Sequence, residues 1–292
     1  AALLATGSAV RLLAAPLLGR GADGLGEPRW MLVLATAAAT FTVCGYGLAG
    51  GFLALLAVAA LHAMVSAPII PLSDAICLAA TRREGFDYGR VRSAGSISFI
   101  VAVALAGQAV ERLGLNSIVW GAALCFAATA FAASRLPPLP TAGGRHGGFR
   151  APFADAAFRR LLPVSALIQG SHALFYGFGA LYWQQAGLSA GLIGALWAEG
   201  VIAEVALFLW GRPLADRLGA RGLALLAALA GLVRWLVFAE TVAVPALALA
   251  QLLHAATFGM MHLAAMRVLV GLPTHLAATA QTLHASLGVG PV

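Results

Sequence analysis

Long apolar stretches recur from one end of the chain to the other, separated by short segments that contain arginine, glycine or proline. Each stretch has about 17–25 residues, the length with which an α-helix crosses a hydrocarbon core about 30 Å thick. Strand-length alternation is absent, which favours helices over barrel strands. Ten membrane-spanning helices are predicted, at 2–18, 30–49, 51–71, 93–110, 116–134, 161–182, 188–210, 222–239, 243–267 and 276–292.

Arginine marks every second connection between the predicted spans. The loops 19–29, 72–92, 135–160 and 211–221 are rich in arginine, whereas Arg112 is the one arginine of the opposite loops. The positive-inside rule places the arginine-rich side in the cytoplasm. The pattern predicts a multi-pass protein of the bacterial inner membrane.

The segment 135–160 carries Pro137, Pro138, Pro140 and several glycines. Such a segment cannot span a bilayer and is typical of a flexible linker. It divides the chain into an N-terminal bundle, 1–134, and a C-terminal bundle, 161–292, with the linker itself in the cytoplasm. The chain opens and closes inside apolar runs, so both outer spans are expected to be truncated.

Composition excludes a water-soluble protein. Of the 292 residues, 61% are hydrophobic and 10% are charged, too few charges for a water-facing surface. The net charge of +7 does not indicate nucleic-acid binding, because most arginines sit in short loops. The three cysteines match no metal-site spacing. We expect no metal and no cofactor, and we expect a monomer.

Two of the arginine-rich loops repeat each other. The first contains Gly19, Asp23, Gly26 and Arg29 in the order G-x-x-x-D-x-x-G-x-x-R, and the second shares Ala-Asp-x-Leu-Gly followed by arginine, through the residues Asp216, Gly219 and Arg221. One copy in each bundle indicates two related halves. The first loop resembles the signature between helices 2 and 3 of the major facilitator superfamily, and the second resembles its counterpart between helices 8 and 9.

The resemblance implies an all-α membrane protein with the major facilitator fold, two six-helix bundles related by a pseudo-twofold axis, here truncated to about ten helices. A narrower resemblance, to the phenylpropionate permease group, covers most of the chain. It rests on these segments: 71–74, 88–96, 169–172, 182–184, 201–205, 233–235 and 262–267. The group's substrate, 3-phenylpropionate, is an expectation from that resemblance.

Ionisable residues inside the predicted spans are the candidates for transport, because buried charge in a bilayer is costly and usually functional. They concentrate in the C-terminal bundle, where a polar stripe also lies on one span. The candidates for proton coupling or substrate binding are Gln169, His172, Glu199, Glu204, Arg234, His254 and His262. Glu204 or Glu199 is the predicted proton carrier, with Arg234 as its partner and His254 and His262 as a relay or as substrate contacts.

That arrangement of carboxylate, arginine and histidine is similar to the proton pathway of sugar–proton symporters in the same superfamily. Phe175, Tyr176, Trp183 and Trp197 are candidates for the wall of an aryl pocket. A purely structural role stays open: a static ion pair between Glu204 and Arg234, and histidines that only bond backbone carbonyls.

The resemblance to the major facilitator superfamily implies that the repeated loop acts as a cytoplasmic latch. Asp23 is predicted to bind the N-terminus of the helix that starts near Thr274, because a helix N-terminus carries about half a positive charge. Arg90 and Arg92 are expected to join this latch, and Asp216 is its weaker counterpart. The alternative is that Asp23 only caps a helix.

The sequence thus predicts a proton-coupled symporter of a small organic solute that works by alternating access in a lipid bilayer. Nucleosides, sugars and drug-like solutes remain alternative substrates. A membrane enzyme is disfavoured, because no nucleophile–base pattern and no metal-helix spacing stand out. A non-transporting sensor or scaffold of the same fold would not need the buried carboxylate, arginine and histidine together.

Overall fold

The computed structural model describes residues 2–25, 27–138 and 148–290, and all regular secondary structure in this part of the chain is helical, without a strand. The motif residue Gly26 and the linker residues 139–147 lie outside it. The α-helices are α1 (Ala2–Leu25), α2 (Pro28–Leu48), α3 (Phe52–Ser66), α4 (Ile69–Glu84), α5 (Tyr88–Leu113), α6 (Asn116–Ser134), α7 (Ala156–Gly170), α8 (Ala173–Gln185), α9 (Ala190–Trp210), α10 (Arg212–Glu240), α11 (Val244–Leu252), α12 (Met261–Gly271) and α13 (Ala277–Leu283).

The helices extend further than the predicted spans on the arginine-rich side. The predicted loop 72–92 is wrong over most of its length, because α4 continues to Glu84 and α5 begins at Tyr88. The loops 19–29 and 211–221 are likewise mostly helical, in α1 and α10. Charged side chains set how deep a helix sits in the bilayer, but arginine, unlike glycine or proline, does not end one.

Several predicted spans are interrupted. The span 161–182 is broken at Ser171 and His172, between α7 and α8. The span 243–267 contains a π-helical segment, Ala255–Met260, between α11 and α12, and a second π-helical segment, His284–Val289, follows α13. Single π-helical turns widen a helix locally and often lie at functional sites.

Six helical stretches of the described residues are long and apolar enough to cross a membrane. They are Pro28–Leu48, Phe52–Glu84, Asn116–Ser134, Gly191–Trp210, Arg212–Glu240 and Val244–Gly271. Large apolar side chains such as Phe41 and Leu53 are more than three-quarters exposed, as expected where lipid is the solvent. The other predicted spans stay predictions.

Two compact units make up the chain. Among the described residues, the first comprises those within 2–86, 101–159 and 269–290, and the second comprises those within 87–100 and 160–268. In the first unit, α2 packs against α3 and α6, and α13 packs against α1 and α4. In the second, α9 and α10 pack against the π-helical segment 255–260, and α11 packs against α9 and α10. The predicted division into bundles at 135–160 stays a prediction.

Each unit has its own apolar core. In the first, Leu32, Leu72 and Ile76 pack with alanines of α1, α6 and α13. In the second, Phe175 and Trp183 of α8 pack with Ile193 and Leu196 of α9 and Leu247 of α11. The small alanines let helix backbones approach closely, which is how membrane helices associate without a hydrophobic drive.

Candidate functional site

A cavity of about 330 Å³ lies within the second unit. Its polar side chains come from four helical elements: Arg92 and Ser96 of α5, Glu204 of α9, Arg234 of α10, and Gln251 and His254 at the end of α11. Its apolar wall is formed by Phe99, Phe175, Tyr176, Trp197, Val201 and Phe258. A concave, mostly apolar site with a few convergent polar groups is the usual form of a small-molecule site.

Glu204 is the carboxylate of this cavity, and its side chain is only 5% exposed. The Ser96 hydroxyl donates a hydrogen bond of 3.0 Å to Oε1, and His254 Nε2 lies 3.3 Å from Oε2. Arg92 Nη2 lies 3.9 Å from Oε1. Both carboxylate oxygens are therefore in contact with groups that can give or receive a proton or neutralise the charge.

Arg234 is the most deeply buried charge of the cavity, at 1% exposure. Its Nη2 donates to Gln251 Oε1 at 2.6 Å, and its Nη1 reaches Thr257 Oγ1 at 3.1 Å and His254 Nδ1 at 3.3 Å. The guanidinium carbon also lies 4.7 Å from the Trp235 ring centroid and 5.1 Å from that of Phe175. Hydrogen bonds and aromatic faces together hold the buried charge.

These contacts assign the protonation of His254. A guanidinium has no acceptor, so the Nδ1 that faces Arg234 must accept. The ring proton then sits on Nε2 and is donated to Glu204, and the imidazole is neutral. The structure corrects the predicted direct partnership of Glu204 and Arg234, because His254 lies between them.

Thr257, which the sequence did not single out, extends the network to His172. Its hydroxyl oxygen accepts from Arg234, and the hydroxyl lies 3.0 Å from His172 Nε2. His172 Nδ1 lies 3.0 Å from the Ile168 carbonyl, so it carries the ring proton and Nε2 accepts from Thr257. His172 sits in the break between α7 and α8, where its Nδ1 lies within reach of the Ile168 and Gln169 carbonyls.

The other candidates for proton coupling or substrate binding lie outside the cavity lining. Glu199 is half-buried and lies five residues before Glu204 on α9, and Gln169 is buried on α7. His262 stacks on Tyr88 and shares a hydrogen bond of 2.8 Å between its Nε2 and the phenol oxygen. Phe175, Tyr176 and Trp197 line the cavity as predicted, but Trp183 is packed in the apolar core instead.

Asp23 makes the contact that the sequence predicted for it. One carboxylate oxygen accepts from Ala278 N at 3.0 Å, and the other accepts from Thr279 N at 2.7 Å and from Thr279 Oγ1. These amides open α13. Burial raises the pKa of Asp23, while the hydrogen bonds from Thr279 and Ala278 act in the opposite direction. Its role as a latch stays a prediction.

The second copy of the repeat makes different contacts. Asp216 pairs with Arg267 and, at 3.6 Å, with Arg212, which also lies 3.4 Å from Asp87. Gly219 has φ 62°, a left-handed conformation that favours glycine, and it breaks the start of α10. The second aspartate is thus held by surface ion pairs instead of backbone amides.

The arginines of the gating motif separate into different sites. Arg29 donates to the Leu136 carbonyl at 2.6 Å and pairs with Glu27 at 2.7 Å, while Arg90 and Arg221 are exposed. Arg92 turns towards Ser96 and Glu204. Its side chain therefore belongs to the cavity and not to the latch for which it was predicted.

Comparison with known proteins decides the family. The sequence model of the MFS_1 like family matches residues 1–291. The chain belongs to the major facilitator superfamily. It is accordingly a multi-pass membrane protein with the major facilitator fold, and the relatives named below are transporters and not enzymes.

Relatives in three bacteria are similar to this superfamily member. The probable 3-phenylpropionic acid transporter of Escherichia coli is 35% identical over 228 residues, which cover 76% of this chain and 60% of that protein. The uncharacterized transporter YwbF of Bacillus subtilis is 26% identical over 99% of this chain and 73% of its own. The maltose permease of Geobacillus stearothermophilus is 30% identical over 79% of this chain and 59% of its own.

The chain thus spans about 60% of the length of the Escherichia coli relative. Solved structures support the fold. Two crystal structures of the nucleoside transporter NupG, one of them of a mutant, match 99% of this chain and 79% and 78% of theirs. Their TM-scores are 0.68 and 0.65 at 16% identity, so the likeness is one of fold.

The Arg234 network is expected to be needed for stability. Arg234→Lys keeps the charge but cannot reproduce the planar contacts to Gln251, His254 and Thr257. We expect a loss of roughly 3–5 kcal/mol, the usual effect of breaking a buried charged network. Thermal unfolding in detergent measures it, with Arg221→Lys, an exposed arginine of the same helix, as control. Equal melting temperatures for both variants would contradict the structural role.

Proposed function

We propose that this transporter is a symporter that carries a small aromatic carboxylate together with a proton, inward across the bacterial inner membrane. The observation that carries the proposal is the position of Glu204, buried beside the cavity between Arg92, Ser96 and the neutral His254. A buried carboxylate with a proton donor on one side and a cation on the other is suited to binding and releasing a proton.

The aromatic wall supports an aryl substrate. Phe175 stacks on Trp197 with ring centroids 4.7 Å apart, and Tyr176 and Phe258 complete the apolar side of the cavity. Aromatic rings bind one another in stacked or edge-on pairs with a preference beyond simple burial. The cavity volume is at the lower end of the range of about 300–1,000 Å³ for small-molecule sites, which suits a single ring with a short acid chain.

Arg92 is the better anchor for the substrate carboxylate. Both Nη atoms of Arg234 already donate to His254, Thr257 and Gln251, and the group is 1% exposed. The side chain of Arg92 is 26% exposed and faces the cavity. An arginine fork binds a carboxylate in a bidentate manner.

This position of Arg92 couples binding of the substrate carboxylate to protonation of Glu204. Ionised Glu204 attracts Arg92 and repels an incoming carboxylate, since the two anions compete for one cation. Protonation of Glu204 removes that competition and leaves Arg92 to the substrate. The loaded state therefore carries one substrate anion and one proton, and His254 holds Glu204 in place from the other side.

The remaining candidates take supporting roles in the proposal. Gln169 and His172 position the α7–α8 break, and His262 joins α5 to α12 through Tyr88. The contact of Asp23 with α13 acts as a latch that favours the outward-open state. The linker 135–160 and the arginine-rich helix ends face the cytoplasm, and the protein works as a monomer.

A sugar is the second candidate, because the maltose permease is 30% identical over 79% of this chain. A sugar site needs donors and acceptors along its whole length. The polar groups of this cavity instead contact one another in a single cluster of Arg92, Ser96, Glu204, His254, Arg234 and Gln251. Most of the remaining lining is aromatic: Phe99, Phe175, Tyr176, Trp197 and Phe258. The lining favours the aromatic acid.

The test is uptake of labelled 3-phenylpropionate by the full-length protein in proteoliposomes under an imposed pH gradient. We expect uptake with the gradient, competition by arylalkanoic acids and none by 3-phenylpropionamide or maltose. Arg92→Gln is expected to raise the half-saturating concentration by roughly 10- to 100-fold, the effect of losing a charged hydrogen bond. Competition by maltose alone would support the sugar, and an unchanged Arg92→Gln variant would overturn the anchor.

A further inference from the structure

A series of hydrogen bonds runs from the α7–α8 break to Glu204, and the Thr257 hydroxyl stands at its centre. Thr257 and His172 are fully buried, and Arg234, His254 and Glu204 are buried as well. All five belong to the second unit and are linked side chain to side chain. Buried polar groups must find their partners inside the protein, so the direction of each bond can be deduced.

The Thr257 hydroxyl has one hydrogen and two acceptors within reach. His172 Nε2 lies 3.0 Å from Thr257 Oγ1, and the His254 carbonyl lies 3.3 Å from it. His172 Nδ1 faces the Ile168 carbonyl at 3.0 Å, so Nδ1 carries the ring proton and Nε2 is an acceptor. The nearer acceptor, Nε2, takes the hydrogen. A lone pair of Thr257 is then directed at Arg234 Nη1, 3.1 Å away.

The π-helical segment Ala255–Met260 leaves Thr257 available for these bonds. A threonine in a regular membrane helix usually bonds the carbonyl one turn earlier, as Thr129 does at 2.8 Å. The corresponding bond of Thr257 is longer and reaches back three residues instead of four. Its side chain instead bonds groups of α10 and of the α7–α8 break.

Arg234 transmits the orientation of Thr257 to His254. Its Nη1 bonds both side chains, so the acceptor at Thr257 fixes the plane in which Nη1 directs its second hydrogen at His254 Nδ1. The bond to His254 is the longer of the two, at 3.3 Å, and depends on that alignment. While it holds, Nδ1 accepts and Nε2 donates to Glu204 Oε2. A donated hydrogen bond favours the ionised carboxylate.

Loss of the Thr257 hydroxyl would release this constraint. The guanidinium of Arg234 would turn towards Gln251 Oε1, its shortest bond at 2.6 Å, and its contact with His254 would lengthen. His254 would then be free to carry its proton on Nδ1 and to present Nε2 to Glu204 as an acceptor. An accepting nitrogen favours the protonated carboxyl group, which has a hydrogen to donate.

We propose that Thr257 is a positioning residue for proton binding at Glu204: acting through Arg234, it holds His254 in the tautomer that donates to the carboxylate. The inference rests on the proposed role of Glu204 as the proton carrier. His172 is the second member of this device, because its Nε2 decides where the Thr257 hydrogen points.

Other charges around Glu204 stay in place when the Thr257 hydroxyl is removed. Among the described residues, the titratable and charged side chains that face Glu204 are Arg92 of α5, Tyr176 of α8, Arg234 of α10 and His254 after α11. The π-helical segment that packs against α9 contributes none, since it consists of alanine, threonine, phenylalanine, glycine and methionine. A change in pH dependence in a Thr257 variant therefore reports the orientation of Arg234 and His254.

The pH profile of uptake by the full-length protein tests the proposal. Uptake of labelled 3-phenylpropionate at limiting concentration is measured in proteoliposomes for the wild type, Thr257→Val and Thr257→Ser. Valine keeps the shape of threonine without the hydroxyl. We expect the pH of half-maximal uptake to rise by roughly one unit, a tenfold gain in proton affinity, because protonated Glu204 becomes the favoured form.

The maximal uptake at low pH separates positioning from a general loss of structure. We expect it to be the same in Thr257→Val and the wild type, because protonated Glu204 can still form. Thr257→Ser keeps the hydroxyl and is expected to restore the wild-type profile. A Thr257→Val profile that coincides with the wild type, or an equal shift in Thr257→Ser, would overturn the proposal.

Nitrogen-15 NMR of the histidine rings in detergent reads the tautomers without any transport assay. The His254 signals are assigned by their loss in His254→Gln, and those of His172 by their loss in His172→Asn. In the wild type we expect the proton of His254 on Nε2 and that of His172 on Nδ1, and we expect Thr257→Val to shift the His254 proton towards Nδ1. A wild-type His254 protonated on Nδ1 would overturn the proposal even where Thr257→Val does not fold.

The positioning role and the symporter fail separately. Uptake by the wild type that does not depend on pH would remove Glu204 as the proton carrier, while the histidine tautomers would still decide whether Thr257 positions His254. Uptake that depends on pH equally in the wild type and Thr257→Val, with an unchanged His254 tautomer, would remove the positioning role and leave the symporter standing.

Discussion

Glu204→Gln is expected to abolish accumulation of substrate against a gradient while preserving exchange of substrate across the membrane. The amide keeps the shape of the side chain and can still accept from Ser96, but it cannot take up or release a proton. It copies the protonated state, in which Arg92 is available to the substrate. Binding should therefore become insensitive to pH, and uptake driven by the pH gradient should fall to background.

The measurement pairs uptake under a pH gradient with exchange between internal and external substrate in the same proteoliposomes. Glu199→Gln is the matched control, since Glu199 lies on the same helix, five residues away and outside the cavity lining. We expect it to behave like the wild type. Gradient-driven uptake that survives Glu204→Gln and fails in Glu199→Gln would move the proton site to Glu199.

The rule that charge inside a bilayer is usually functional led from the sequence to side chains that contact one another in the structure. Glu204, Arg234 and His254 could be predicted to act together because each is costly to bury alone, and the structure brings them into one network. The order of the contacts could not be predicted. Which donor faces which acceptor depends on helix rotation, and a span's sequence only loosely determines that rotation.

The π-helical segment Ala255–Met260 explains why the rotation of this helix about its axis could not be predicted from the sequence. Regular helical spacing places Gln251, His254 and His262 on one face, with about 100° per residue. A π turn holds an extra residue and shifts the face beyond it. Gln251 and His254 therefore meet Arg234, while His262 turns to Tyr88 instead. No residue pattern in 255–260 signals the wider turn.

Ser96 and Thr257 were missed for a different reason. Serine and threonine are common in membrane helices, where they usually bond the carbonyl one turn earlier, as Ser98 and Thr129 do here. Ser96 differs from Ser98 and Thr129 because it contacts Glu204, and Thr257 differs from them because it contacts Arg234. The spacing of four residues between Arg92 and Ser96, which puts them on one face of α5, was the available signal.

Gly19→Ala is expected to open the contact between α1 and α13. A Cβ at Gly19 would lie 2.1 Å from Thr282 Oγ1 and 2.8 Å from the Ala278 carbonyl oxygen, so a rotamer change of Thr282 alone cannot make room for it. The backbones must separate by on the order of 1 Å to restore ordinary contact distances. The bonds from Ala278 and Thr279 to Asp23 then weaken, because they depend on the same approach.

Overpacking of this kind costs roughly 1–3 kcal/mol. That cost falls on the closed contact alone and shifts the ratio of closed to open forms by roughly 5- to 150-fold.

Spin labels at Arg20 and Thr274 report it as a second, longer distance population. Gly7→Ala on the same helix is the control, since its Cβ would meet nothing nearer than Ala63 Cβ at 3.9 Å. Both changes raise helix propensity equally, so a longer distance in Gly19→Ala alone isolates the contact with α13. Identical distance distributions in the two variants would show that the hydrogen bonds of Asp23 to α13 do not depend on the close approach at Gly19. The contact between α1 and α13 would then be held by the Asp23 carboxylate alone.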